Sequence, residues 1–327
     1  MTAVASTSRS VPSRADRMRG TIWGQFVGDA ACVGAHWIYD PEEIARRWPG
    51  GLRGFETPWP GHHHARRRSG DLTHYGDMAL LLLESLVERN GFDAADFGRR
   101  FIEAVASPEY MGYRDKAMKG TLARYEAYVA THGPATFDHQ QGAEDFEPAT
   151  VSRLAPLVVA GLSDENVVDR HTRVTQDHPR ALIYARYHAR VLCALVDGHA
   201  LADAFALATS ALPTDGFGEE LRVSLARVRG PLAGADVTDA TRTLGQHCRL
   251  DQSLPAAIHA ALSYPTDLRA AVLATARAGG DSAGRGAMIG AWLGASLGVG
   301  GVPAEWRTAL AAHERIAALV ERLVARA

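Results

Sequence analysis

The chain has 327 residues, of which 46% are hydrophobic and 22% charged, with a net charge of -2. That balance suits a packed soluble protein and supplies neither a basic field for nucleic acid nor an acidic tail. The length suffices for one large domain or two small ones.

The first 16 residues are rich in Ser and Arg and lack the apolar stretch of a secretory signal. They are expected to form a disordered tail (1–16) ahead of one domain (17–327). Helical periodicity begins at 17–33, where Ile22, Trp23, Phe26, Val27 and Ala30 share a face. Residues 49–69, with three prolines, four glycines and the run His62, His63, His64, read as a long irregular loop; the histidine run could bind a metal but reads first as exposed and flexible. Arg66, Arg67 and Arg68 beside them read as a solvated basic patch. Helices are predicted at 76–89, 93–106 and 113–131. A second irregular stretch follows near 133–149. Further helices are predicted at 179–196, 201–211, 267–277, 283–298 and 303–327. No alternating strand pattern and no repeat appears, which predicts a single all-α domain.

The longest uncharged stretch, 286–302, falls short of the ~20 residues a bilayer needs, so a buried core helix is expected and no membrane partner. Cys32, Cys193 and Cys248 are far apart and odd in number. They read as buried thiols of a reducing, cytoplasmic compartment.

Gly20, Gly24 and Gly28 recur every four residues, as do Gly286, Gly290, Gly294 and Gly298. Glycine inside a helix costs about 1 kcal/mol relative to Ala, or about 7 kcal/mol over seven positions. Packing must offset that cost. A period of four puts the glycines on one face, where another backbone can approach closely. A sharper reading adds a site at the N-terminal ends of these helices.

Three segments resemble one family. Residues 20–30 (GTIWGQFVGDA) are similar to the GAxxGxxxGDA opening of ADP-ribosylglycohydrolases. Residues 73–80 (THYGDMAL) stand where that family has TDDTxMAL, and 278–286 (AGGDSAGRG) where it has GGDTDTxAA. Weaker echoes, Ser152-Arg153-Leu154-Ala155-Pro156 for MRxxP and residues 175–181 for THxxPxA, fall between them in family order. The resemblance implies an all-α fold, two Mg²⁺ ions and cleavage of a glycosidic bond to ADP-ribose.

The chemistry departs from that pattern. Thr73, Asp281 and Ser282 match, but four acidic positions of the family are occupied by His36, His74, Tyr75 and Ala283. Magnesium wants oxygen ligands, so loss of the family's metal is expected, with no metal site and no cofactor. A single transition metal on His36, His74 and Asp281 is chemically open. The HWxYD (36–40) and THYG (73–76) segments resemble a metal-ligand-depleted branch of the family.

The replacements supply acid/base groups, rings and a cation. Candidate catalytic residues are Asp281, His74, His36 and Tyr75. Candidate substrate contacts are Asp29, Trp37, Tyr39, Thr73, Arg153, His178, Gly280, Ser282 and Arg285. Asp29 and Asp281 also suit helix caps, and Arg285 suits either a pairing with Asp281 or an anion clamp. The expected function is hydrolysis of a small ADP-ribosyl, nucleotide or NAD-derived substrate without magnesium. The alternative is a non-catalytic descendant that binds a nucleotide or a partner. The oligomeric state is left open.

Overall fold

The computed structural model describes residues 11–327. Residues 1–10 of the expected tail lie outside the described residues. The opening helix, Arg14–Cys32, starts three residues ahead of the expected domain boundary. Its start is fixed by Ser13, whose hydroxyl accepts the Asp16 N–H at 3.1 Å. Among the described residues the secondary structure is helical, apart from one isolated bridge between Ala143 and Gln176.

The opening helix crosses the glycine helix Ser282–Leu297 antiparallel, glycine on glycine. A Cβ on Gly20, Gly24 or Gly28 would strike the carbonyls of Gly294, Gly290 and Gly286 in turn, and the reverse contacts hold. Only glycine allows that backbone approach, and the close dispersion contact offsets its poor helix propensity. The pairing sets the C-terminal end of the opening helix against the N-terminal end of the glycine helix. The expectation of a site at both N-termini is thereby corrected: residues after the first helix's C-terminus meet residues at the second helix's start.

Helices Pro179–Val196, Leu250–Ser263 and Leu268–Arg277 pack around the glycine helix. Trp292 is fully buried between His188 and Phe205. Helix His74–Arg89 packs near the opening helix with its N-terminus at the same end.

Two features depart from the sequence reading. The expected 303–327 helix is broken into Ala304–Ala309 and His313–Val324, because Leu310 is extended and buried and the Ala311 N–H bonds the Gly70 carbonyl at 2.9 Å. Helices Pro41–Arg47, Ala155–Val159, Glu165–Arg173, Gly216–Arg229, Val237–Leu244 and Leu250–Ser263 lie outside the predicted set. The last contains Pro255, a residue that speaks against a helix interior.

Candidate functional site

The site forms where two turns interlock. Gly279 and Gly280 have φ of 74° and 67°, which glycine adopts without strain. The Gly280 N–H bonds the Ile38 carbonyl at 2.7 Å, and its own carbonyl accepts the Trp37 N–H at 2.8 Å. The GGD turn is thus stitched to the turn after the opening helix, and His36 Nδ1 lies 3.6 Å from Asp281 Oδ1. Asp281 stands at the N-cap of the glycine helix, yet its side chain makes no capping bond and neither oxygen has a hydrogen-bond partner. Burial pushes its pKa up to about 6, against the pull of Arg285 and His74. The buried Tyr75 hydroxyl lies beside this carboxylate without a hydrogen bond of good geometry. Burial raises its pKa, so it stays protonated.

His74 opens its helix, with ring centres 6.2 Å from His36 and 3.9 Å from Tyr75. Behind it His74 Nε2 is 3.4 Å from Asp115 Oδ2. Burial alone would raise the Asp115 pKa, but His74 and the Met118 N–H hold it below the usual carboxylate range. Burial, reinforced by neighbouring imidazoles, holds His36 well below its ordinary pKa. It is therefore neutral and a weak base, not the near-neutral titrating group expected from its type alone. Asp281, His36, His74 and Tyr75 are thus brought together, each no more than 1% exposed.

The run at 62–64 is not an exposed flexible loop. His62 and His64 are buried and only His63 faces solvent. His64 lies 5.3 Å from His36 and 5.7 Å from His74, ring centre to ring centre. Trp37 stacks on His36 at 4.2 Å and on His64 at 5.3 Å, closing the cluster from above. Outside it lies a cleft of about 230 Å³ lined by Trp37, Tyr39, Tyr113, Lys116, Lys119 and Glu147, among others. Tyr39 is 42% exposed at its mouth. Lys116 and Lys119 are the only two lysines of the sequence.

Other expected contacts serve the frame. Asp29 accepts the Thr73 N–H at 2.8 Å and the Thr73 hydroxyl. Thr73 Oγ1 in turn accepts the Tyr75 N–H at 3.1 Å, so both residues start the His74 helix. Arg285 is fully buried and donates to Thr275 Oγ1 at 2.9 Å and to the Gly279 carbonyl. It braces the GGD turn and does not reach into the cleft. Arg153 is buried over Phe97 and bonds His171 and Thr175, behind Asp115. His178 caps its own helix by accepting the Arg180 N–H at 3.1 Å, away from the cleft. Ser282 is buried with its hydroxyl unpartnered.

The sequence reading missed Tyr113, Asp115, Lys116, Lys119 and Glu147, and favoured an exposed loop over a metal-binding role for His64. Glu147 is pushed up to about 7, first by burial and then by Asp145. The donor set does not fit the binuclear magnesium that the resemblance implies. Imidazoles and a phenol replace hard oxygen ligands, and Thr73 is already committed to Asp29.

These elements define an all-α protein with a buried carboxylate–imidazole cluster at the end of a glycine-on-glycine helix pair. The sequence pattern of ADP-ribosylglycohydrolases matches residues 10–327, and the chain belongs to that family. It is 26% identical over 318 residues to Crystallin J1A of Tripedalia cystophora, covering 94% of this chain and 96% of that one. Crystallin J1B of the same organism is 26% identical over 303 residues, covering 89% and 91%. A solved structure described as an ADP-ribosylglycohydrolase-related protein complex superposes with a TM-score of 0.72 at 26% identity, covering 96% of this chain and 99% of that one.

Proposed function

We propose that the chain hydrolyses a glycosidic bond in a small ADP-ribosyl, nucleotide or NAD-derived molecule in the cytoplasm, without the family's binuclear magnesium. The observation that carries this is the convergence of Asp281, His36, His74 and Tyr75 beneath one aromatic-walled cleft. Glycoside cleavage needs an acid for the leaving group and a carboxylate or activated water opposite. Glu147, with its pKa near 7, is an acid at neutral pH in the cleft wall. Asp281 is the deep carboxylate beside His36, and His74 lies 3.4 Å from Asp115 behind it. Trp37 and Tyr113 offer faces for a base or sugar. Lys119 supplies positive charge for a phosphate, since Lys116 is paired with Glu147 at 3.1 Å and Arg285 is held inside the turn.

The test is turnover of ADP-ribosyl compounds and NAD by the purified chain, with products read by chromatography. Joint replacement Asp281→Asn and His74→Gln is expected to abolish it; unchanged turnover would defeat this mechanism. A second reading is favoured by two facts: the relatives named crystallins, and the complete burial of the cluster under Trp37. It makes the chain a non-catalytic binder, and it requires thermal stabilisation by such a ligand with no product formed.

A further inference from the structure

One ring nitrogen from each of His36, His64 and His74 lies within 4.8 Å of the other two. The ring centres form a triangle with sides of 5.3, 5.7 and 6.2 Å, and no ring is more than 2% exposed. His36 Nε2 and both nitrogens of His64 and of His74 have no hydrogen-bond partner. A buried polar atom left unpaired costs about 1–3 kcal/mol, and three rings that each turn one nitrogen toward the others call for an occupant. We propose that His36, His64 and His74 form a site for one divalent transition-metal ion of the zinc class.

The chemistry of the donors selects the ion. Imidazole nitrogen suits zinc and its late first-row neighbours, whereas magnesium wants oxygen. Ligands at about 2.0–2.1 Å from a tetrahedral zinc stand about 3.3 Å apart, so side-chain rotations of modest size close the triangle.

The surroundings are those of a metal site. Ligating imidazoles usually donate their far N–H to a carboxylate, which fixes the ring and turns the near nitrogen to the ion. Asp115 stands 3.4 Å from His74 Nε2 in that position, whereas His36 Nδ1 accepts the Ala283 N–H at 3.2 Å, so ligation through His36 Nε2 requires its proton to move to Nδ1, 3.6 Å from Asp281. Three neutral rings and two carboxylates together balance a divalent charge. His62 pre-sets the third ligand. Its Nδ1 accepts the His64 N–H at 3.0 Å, which leaves the proton on Nε2 to donate to the His36 carbonyl at 2.9 Å. His62 is thereby spent as a fastener that holds His64 over His36. Three protein ligands leave a fourth position, beneath Trp37, for water or substrate.

The inference does not depend on the hydrolytic reading, because binding is measured without turnover. If both hold, the imidazoles act as ligands and the proton chemistry falls to Asp281 and Glu147. The experiment uses the full chain without a histidine tag, stripped with a chelator. It is titrated calorimetrically with Zn²⁺ and, separately, with Mg²⁺. Co²⁺ loading is followed by visible absorption. One Zn²⁺ per chain, an intense tetrahedral Co²⁺ spectrum and no Mg²⁺ response are expected. His64→Gln should weaken Zn²⁺ binding at least about 100-fold and Asp115→Asn about 10–100-fold, while exposed His63→Gln leaves it unchanged. Absence of stoichiometric Zn²⁺ binding overturns the site, as does wild-type affinity in a folded His64→Gln chain. Should that variant fail to fold, the cobalt spectrum of the unaltered chain decides: imidazole-ligated bands uphold the site, and the spectrum of the hydrated ion overturns it.

Discussion

Replacing Gly24 by Ala sets two effects of opposite sign against each other. Intrinsic propensity favours Ala in a helix by about 1 kcal/mol. Against it, the new Cβ would fall 2.6 Å from the Gly290 carbonyl carbon and 3.3 Å from the Gly294 Cα. Favourable carbon contacts lie at about 3.5–4.0 Å. Both obstacles are backbone in the middle of a buried helix, so no rotamer change relieves them, and the helices must separate. Overpacking costs about 1–3 kcal/mol and sometimes more, and a backbone clash belongs at the upper end. The net loss is about 2 kcal/mol or more, a fall in Tm of about 4 °C or more for a chain of this size. Thermal melts by circular dichroism measure it, with Gly290→Ala as the reciprocal variant. An unchanged or higher Tm would refute the account of the glycine stripes.

Two further outcomes concern protonation. Asp281 has a folded pKa of about 6, above its ordinary value of 3.8, so the folded state binds the proton more tightly than the unfolded chain. Stability from this group is present at low pH and lost as pH rises through about 4 to 6. Asp281→Asn in metal-free protein should therefore raise stability at pH 7–8 by up to about 3 kcal/mol and gain little below pH 4, even as it removes turnover. Denaturant melts across pH check this, and a uniform loss of stability would count against a strained buried carboxylate. Glu147, with a pKa near 7, should act in its protonated form. Activity should then fall as pH rises through 7, and Glu147→Gln should erase that alkaline limb; a limb that persists in the variant assigns the acid elsewhere.

The parts of the fold legible in the sequence were those written as backbone requirements. A glycine every fourth residue has few structural uses, and two such runs predict each other. The GGD turn was legible for the same reason, and it carried Asp281 and His36 to one place. Side chains placed by tertiary contact were not legible. His64 resembled part of a solvated loop because its burial depends on the bond from His62 to the His36 carbonyl. Asp115 carries no signal in the sequence beyond that of a helix cap, a role it fills by accepting the Met118 N–H at 2.7 Å. Arg285 and Arg153 mislead in the opposite direction. A long side chain near a site suggests an anion clamp, but both guanidinium groups turn toward carbonyls, hydroxyls and a histidine of their own scaffold.

Trp37 adopts the left-handed backbone region at φ 65°, rare for a bulky residue, while its indole N–H bonds Cys248 Sγ at 3.2 Å. With its ring over His36 and His64, entry to the pocket becomes a two-step event in which opening precedes docking. If the open form is populated at about 1%, apparent affinity is weakened about 100-fold relative to the exposed pocket. Incubation time and ligand concentration would then govern what any screen reports. A brief assay at low concentration would score this chain as inert, whatever chemistry lies under the indole.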